Sequence, residues 1–382
     1  MKLESYVVKD HKRMRRGYTT GSCAAGAAKG AAILALSGQA PAAVELDTPG
    51  GIPLVLEILS PRLEEGEACC AVQKDSGDDP DVTRGVLVWA RVKPRPEPGI
   101  VIDGGEGVGR VTRPGLDQPV GAAAINRVPR RMIAQAVEEV CHRFGYRGGM
   151  EVTIAIPAGV ELAARTFNPR LGIVGGISVL GTTGIVEPMS DQALVDTIQV
   201  EMNQLAATGN RKLILTPGNY GEEYLRQFLP RRKTPVVKCS NFLGEALDQA
   251  AQLGMTHLLF VAHIGKLVKV AAGVMNTHSR YGDGRMEILT AHAALAGAPR
   301  PLLEEIFHGV TTDQVLDLLD EAGLTQAVMA SVLERVEFHL KARLGPSVKT
   351  AAVTFRGEGR FLGQSAGAAQ LLMEMEEEEN GR

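Results

Sequence analysis

Aromatic side chains are scarce in this chain, 4% of 382 residues with a single tryptophan. Rows of rings on which nucleic-acid bases could stack are therefore not expected. Nor is there a strong charge of one sign. The formal charge is −3, and the acidic stretch from Glu374 onward accounts for it, leaving the rest close to neutral. A near-neutral body carries no electrostatic footprint for nucleic acid. The basic clusters at 11–16 and 231–233 read as solvated surface or as carboxylate contacts.

No apolar run approaches the roughly 18 residues that a membrane-spanning helix requires. The five cysteines (Cys23, Cys69, Cys70, Cys141 and Cys239) form no pair with zinc-ligand spacing. Adjacent Cys69 and Cys70 would point to opposite faces of a strand. No protein-bound metal is expected. Scattered thiols and a charged N-terminus without an apolar core suggest a cytoplasmic protein with no signal peptide.

Glycine, by contrast, is plentiful at 44 residues, and the length predicts two domains. Residues 1–190 read as α+β, with a helix packed on a mixed or antiparallel sheet. The helix is the Ala-rich 20–36, a second helix covers 132–144, and strands lie at 44–46, 54–59, 68–73, 86–92 and 151–156. Residues 191–365 read as a Rossmann-like α/β domain with a parallel sheet and a helical extension. Three β-turn-α units carry that reading: 212–228, 236–253 and 257–274. Helices follow over 285–343, then a strand at 350–355. Residues 366–382 read as an acidic, disordered tail.

The three turns bring Gly218, Asn219 and Gly221, then Ser240 and Asn241, then His263, Gly265 and Lys266 to one sheet edge. Ligands of open parallel sheets bind beyond the carboxyl ends of the strands, so a crevice is expected there. The plainer reading makes these residues caps and turns. No acidic residue closes the second strand, which argues against a dinucleotide.

Four other stretches are rich in polar groups. The glycine loop 175–184 has Thr182 where a P-loop has lysine, followed by Thr183, so NTP hydrolysis is not expected. It reads as a ligand-touching loop or a hinge. The loop 103–115 carries Arg110 and Arg113, forks that suit carboxylates or simply decorate a turn. Asp75, Asp78, Asp79 and Asp81 lack the final glutamate of a calcium loop. Crowding could raise one carboxyl's pKa into acid–base range, or the group is a solvated turn. His278 and Arg280 lie in a polar loop after an apolar helix, contacting substrate or closing the helix.

Taken together, six stretches resemble the cobalt-precorrin-5B C1-methyltransferase family (CbiD) of anaerobic cobalamin biosynthesis. They are "GYTTGSCAAGAAKGAA", "KDSGDDPDVT", "GEGVGRVTRPGL", "FNPRLGIVGGISVLGTTGIVEPMS", "KCSNFLGEALD" and "HIGKLVKVAAGVMNTHSR", in the family's order. Arg84 stands where a histidine often follows the aspartates, and Ala262 where glycine is frequent. The resemblance implies S-adenosylmethionine as methyl donor and a cobalt-containing tetrapyrrole as acceptor, cobalt arriving with the substrate. The product would be cobalt-precorrin-6A. The donor is then expected in the crevice at Gly218, Asn219, Gly221, Ser240, Asn241, His263, Gly265 and Lys266. The macrocycle's carboxylates would call on Arg110, Arg113, Arg170, Thr182, Thr183, His278 and Arg280. Thr19, Thr20 and Ser22, at the start of the Ala-rich helix beside Arg15 and Arg16, join that set as an anion cradle. The attacking atom would be a ring carbon, so a protein nucleophile at Ser22 or Cys23 is not needed. His263 or Asp75 could serve as a base. Other pathway enzymes are candidate partners, and oligomerisation stays open. The rival readings are a non-catalytic tetrapyrrole carrier and a nucleotide-dependent enzyme built on the glycine loops.

Overall fold

Alanine and glycine crowd the helix Thr20–Ser37 because the chain wraps it on nearly every side. A Cβ on Gly26 would lie 2.6 Å from Leu56 Cδ1, and one on Gly30 2.6 Å from Ile58 Cδ1. Larger side chains would have to displace a close-packed interior. Thr19 caps the start of this helix, and Gly38, at φ 73°, ends it in the left-handed conformation. It packs on a second helix, Arg127–Arg143, and on a five-stranded sheet. The sheet order is Leu59–Glu64, Glu67–Gln73, Leu87–Arg95, Gly149–Ala155, Ile100–Gly104. All pairs are antiparallel except the last. Ile100–Gly104 is absent from the sequence reading, because this edge strand sits between the Pro98–Gly99 turn and a glycine loop. These elements belong to a unit spanning Met1–Ser190; a second spans Asp191–Arg382. The computed structural model describes residues 3–9, 11–357 and 359–376.

In the second unit, a sheet runs Val236–Lys238, Lys212–Thr216, His257–His263, Lys349–Arg356, Arg360–Gln364. Four strands are parallel, and the edge strand Arg360–Gln364 is antiparallel. Strand alternation separates two apolar faces. Leu213, Leu215, Leu258 and Phe260 pack with the helices Leu243–Gln252, Ile264–Val270 and Thr325–Leu344. Ile214, Leu259, Val261 and Phe355 pack on the opposite side with Asn219–Phe228 and Ala368–Glu376. Tyr224 stacks between Phe228 and Phe355, ring centroids 4.3 and 4.5 Å away.

The disordered tail expected from 366 is corrected over most of its length. Ala368–Glu376 is a helix whose Ala368, Leu371 and Met375 are buried. Its acidic residues are used: Glu374 accepts from Lys349 Nζ at 2.7 Å and meets His257 Nε2 at 3.2 Å. The charge run masked an apolar stripe at i, i+3 and i+7. Residues 377–382 lie outside the described residues.

Candidate active site

The strand Lys212–Thr216 leads into Asn219–Phe228 on one face, while His257–His263, its direct neighbour, leads into Ile264–Val270 on the other. Between two adjacent parallel strands whose connections depart to opposite faces, the sheet edge opens. The turns 217–218 and 263–265 flank that point. A side chain built on Gly218 would meet nothing within 4 Å, and Tyr220 is 78% exposed. Gly221 behaves differently. A Cβ there would lie 1.7 Å from Thr216 Oγ1, so this glycine lets the helix sit on the sheet and does not face a ligand.

The neighbouring turns carry the polar groups. Ser240 holds φ at 51°, a left-handed conformation that costs a serine on the order of 1–3 kcal/mol. Asn241 Oδ1 accepts from Lys266 Nζ at 2.9 Å and from Thr277 Oγ1 at 3.2 Å. Asn219 Oδ1 accepts from Lys238 Nζ at 3.1 Å, and Lys238 also pairs with Glu222 at 2.6 Å. Lys238 and Thr277 lie within stretches that the sequence singles out, though neither is among the site residues expected above.

His263 is an N-cap. Its Nδ1 accepts from the Gly265 amide at 3.1 Å, which places the proton of the neutral ring on Nε2. Burial lowers its pKa, with Asp313 working in the opposite direction. The ring therefore offers a hydrogen-bond donor, which corrects the expectation of a base with a free lone pair. His278 likewise spends Nδ1 on the Arg280 amide, at 3.2 Å, and Arg280 pairs with Asp191.

In the first unit the aspartates are held by the chain's own cations and amides. Asp75 takes both Arg15 guanidinium nitrogens, at 2.6 and 2.8 Å, and the Gly77 amide at 2.9 Å. Asp78 accepts from the Arg15 amide at 2.6 Å, and Asp79 from the Met189 amide at 2.9 Å. Asp81 receives the buried Lys74 ammonium and Thr83 Oγ1. Hydrogen bonds from Arg15 hold the Asp75 carboxyl below its ordinary range. A raised carboxyl at Asp75 is thus corrected: its hydrogen bonds with Arg15 outweigh the opposing effect of burial.

The helix start at Thr19 is likewise closed. Thr19, Thr20 and Ser22 are buried. The Gly21 amide donates to Leu180 O at 3.1 Å, the Ser22 amide to Thr19 Oγ1 at 3.2 Å, and Ser22 Oγ to Gly184 O at 2.6 Å. The expected exposed cradle is filled by the chain's own 180–184 loop. Arg110 is also engaged, holding Asp103 through two bonds at 2.7 and 2.8 Å.

Arg113, Arg170, Thr182 and Thr183 remain at the surface. Arg113 lies along Gly172, with Nη1 3.5 Å from Arg170 O, while Thr183 Oγ1 donates to Ile185 O at 3.0 Å. The same loops expose Phe167, Val174 and Leu180, each to half or more.

Two α/β units, the second with its polar turns gathered at one edge of a mainly parallel sheet, define a mixed α/β protein. The CbiD profile matches residues 7–188, and the profile for the CbiD C-terminal domain matches 276–366. The chain belongs to the CbiD family. It is 44% identical over 378 residues to a Ruminiclostridium cellulolyticum protein named cobalt-precorrin-5B C(1)-methyltransferase, covering 98% of both chains. A Photorhabdus laumondii protein of the same name is 44% identical, over 98% of this chain and 99% of its own. A 1.9 Å crystal structure of cobalamin biosynthesis protein CbiD from Archaeoglobus fulgidus aligns with a TM-score of 0.39 and 29% identity. That alignment covers 74% of this chain and 87% of the other.

Proposed function

We propose that this chain methylates C1 of cobalt-precorrin-5B, with S-adenosylmethionine as donor, in the cytoplasm. The opening at Gly218 is the observation that carries the donor site. We read the second unit as Rossmann-like, with strand order 2-1-3-4 and the opening at its switch point. The residues present fit the donor. Gly218 leaves backbone amides approachable, exposed Tyr220 offers a ring face to an adenine, and His263 Nε2–H, Asn219 and Lys266 supply polar contacts.

When bound, the sulfonium supplies a methyl group that leaves a neutral thioether behind. The new C–C bond takes its electron pair from the macrocycle, so the chain needs no nucleophile of its own. Its task is to position, which a rigid sheet edge can do. The exposed apolar residues Phe167, Val174 and Leu180, beside Arg113 and Arg170, suit a flat, carboxylate-rimmed macrocycle.

Calorimetry of the full chain with S-adenosylhomocysteine should show binding, and Gly218→Val should abolish it without altering the circular dichroism. A carrier would bind tetrapyrrole but no S-adenosylhomocysteine, and preferential binding of ATP or NAD would favour a nucleotide-dependent enzyme. Either outcome overturns the proposal.

A further inference from the structure

Lys266 differs from the cations around it. Lys238 pairs with Glu222 at 2.6 Å and Lys269 with Asp283 at 3.7 Å. Lys266 is half-buried, and among the described residues no carboxylate pairs with it. Its one hydrogen-bond partner among those residues is the neutral Asn241 Oδ1, already shared with Thr277 Oγ1. An ammonium has three protons to donate, so two are left without a partner among the described residues. Removing a cation from water without a counter-ion is unfavourable, and proteins seldom leave one so unless something else completes it. Burial accordingly lowers its pKa.

Position decides what would complete it. Asn241 follows the strand Val236–Lys238, and Lys266 lies in the first turn after His257–His263, so the pair sits at the carboxyl edge of the sheet. Strained Ser240 immediately precedes Asn241, fixing that turn.

We propose that Lys266 receives the α-carboxylate of the methyl donor's amino-acid moiety, an assignment that rests on the donor crevice described above. Asn241 and Thr277 hold the ammonium in place, and the donor's carboxylate replaces the missing counter-ion. This end of the crevice thereby fixes which way the donor lies.

The test compares S-adenosylhomocysteine with 5′-methylthioadenosine, which lacks the amino-acid portion, by calorimetry on the full chain. Lys266→Met should lose about tenfold or more in affinity for the first, the scale of a hydrogen bond to a charged group. Affinity for the second should be unchanged. The unliganded variant should melt no lower than the wild type, because an uncompensated charge has been removed. Lys266→Gln, which keeps a donor to Asn241, should show the same selective loss, and Lys266→Arg should recover part of it. Equal affinity of wild type and Lys266→Met for S-adenosylhomocysteine overturns the assignment, as does an equal fall for both ligands. A wild-type chain that binds neither ligand removes the crevice reading itself, and the assignment with it.

Discussion

At the scale of single residues, Asp75 shows how a chemically suggestive side chain can be taken up by the fold's own hydrogen bonds. Its carboxylate is held by Arg15 and Gly77, so its folded pKa is depressed. A depressed carboxyl contributes stability above its unfolded pKa of about 4, and that contribution is lost as pH falls through the lower folded value. Asp75→Asn should therefore lower unfolding free energy by about 1–3 kcal/mol near neutrality. The deficit should shrink as urea titrations move from pH 6 toward pH 3. Methyl-transfer kcat should stay within about twofold of wild type, as expected for a residue that does not exchange the reaction's proton. A loss of several orders of magnitude in kcat with stability intact would restore the base.

Among elements, the helix Asn219–Phe228 separates two glycines that look alike in sequence. Gly221→Ala would drive a methyl group into Thr216. Overpacking of this kind costs about 1–3 kcal/mol, so the melting temperature should fall by several degrees. Gly218→Ala meets open space, and its φ of 169° is extended backbone that any residue adopts. It should leave the melting temperature unchanged while weakening S-adenosylhomocysteine binding; differential scanning fluorimetry and calorimetry separate the two effects. The sequence pattern made the β-turn-α units legible, because hydrophobic strands ending in Pro217–Gly218 or Ser240–Asn241 admit few other readings. It could not distinguish a glycine beneath a helix from one at a mouth, since that depends on which face the helix crosses. Closure of the Thr19 helix start was equally hidden, because its stopper, the 180–184 loop, lies some 160 residues away in the chain.

For the molecule as a whole, each unit has its own apolar core. The second unit also seals its own C-terminal helix. Lys349, Gln370 and His257 around Glu374 pull its carboxyl down to about 2. Residues 191–382 expressed alone should give a cooperative melt with native-like circular dichroism. Truncation at 367 should destroy that melt, because the sheet face at Leu259, Val353 and Phe355 loses its Leu371 and Met375 cover. A cooperative melt in the truncated form would show the helix to be dispensable. Domain division was readable from the change in chain grammar near residue 190. The final helix was not, because acidic composition there outweighed a sparse apolar stripe.

Cys23 in the first unit and Cys239 in the second are both fully buried, and burial pushes each thiol up to about 12. Neither can meet an alkylating reagent until the surrounding structure opens. Peptide-resolved labelling over time thus reads two clocks within one molecule. Donor binding at the second sheet should slow the Cys239 clock, and any change in Cys23 would measure how far that stabilisation travels along the chain.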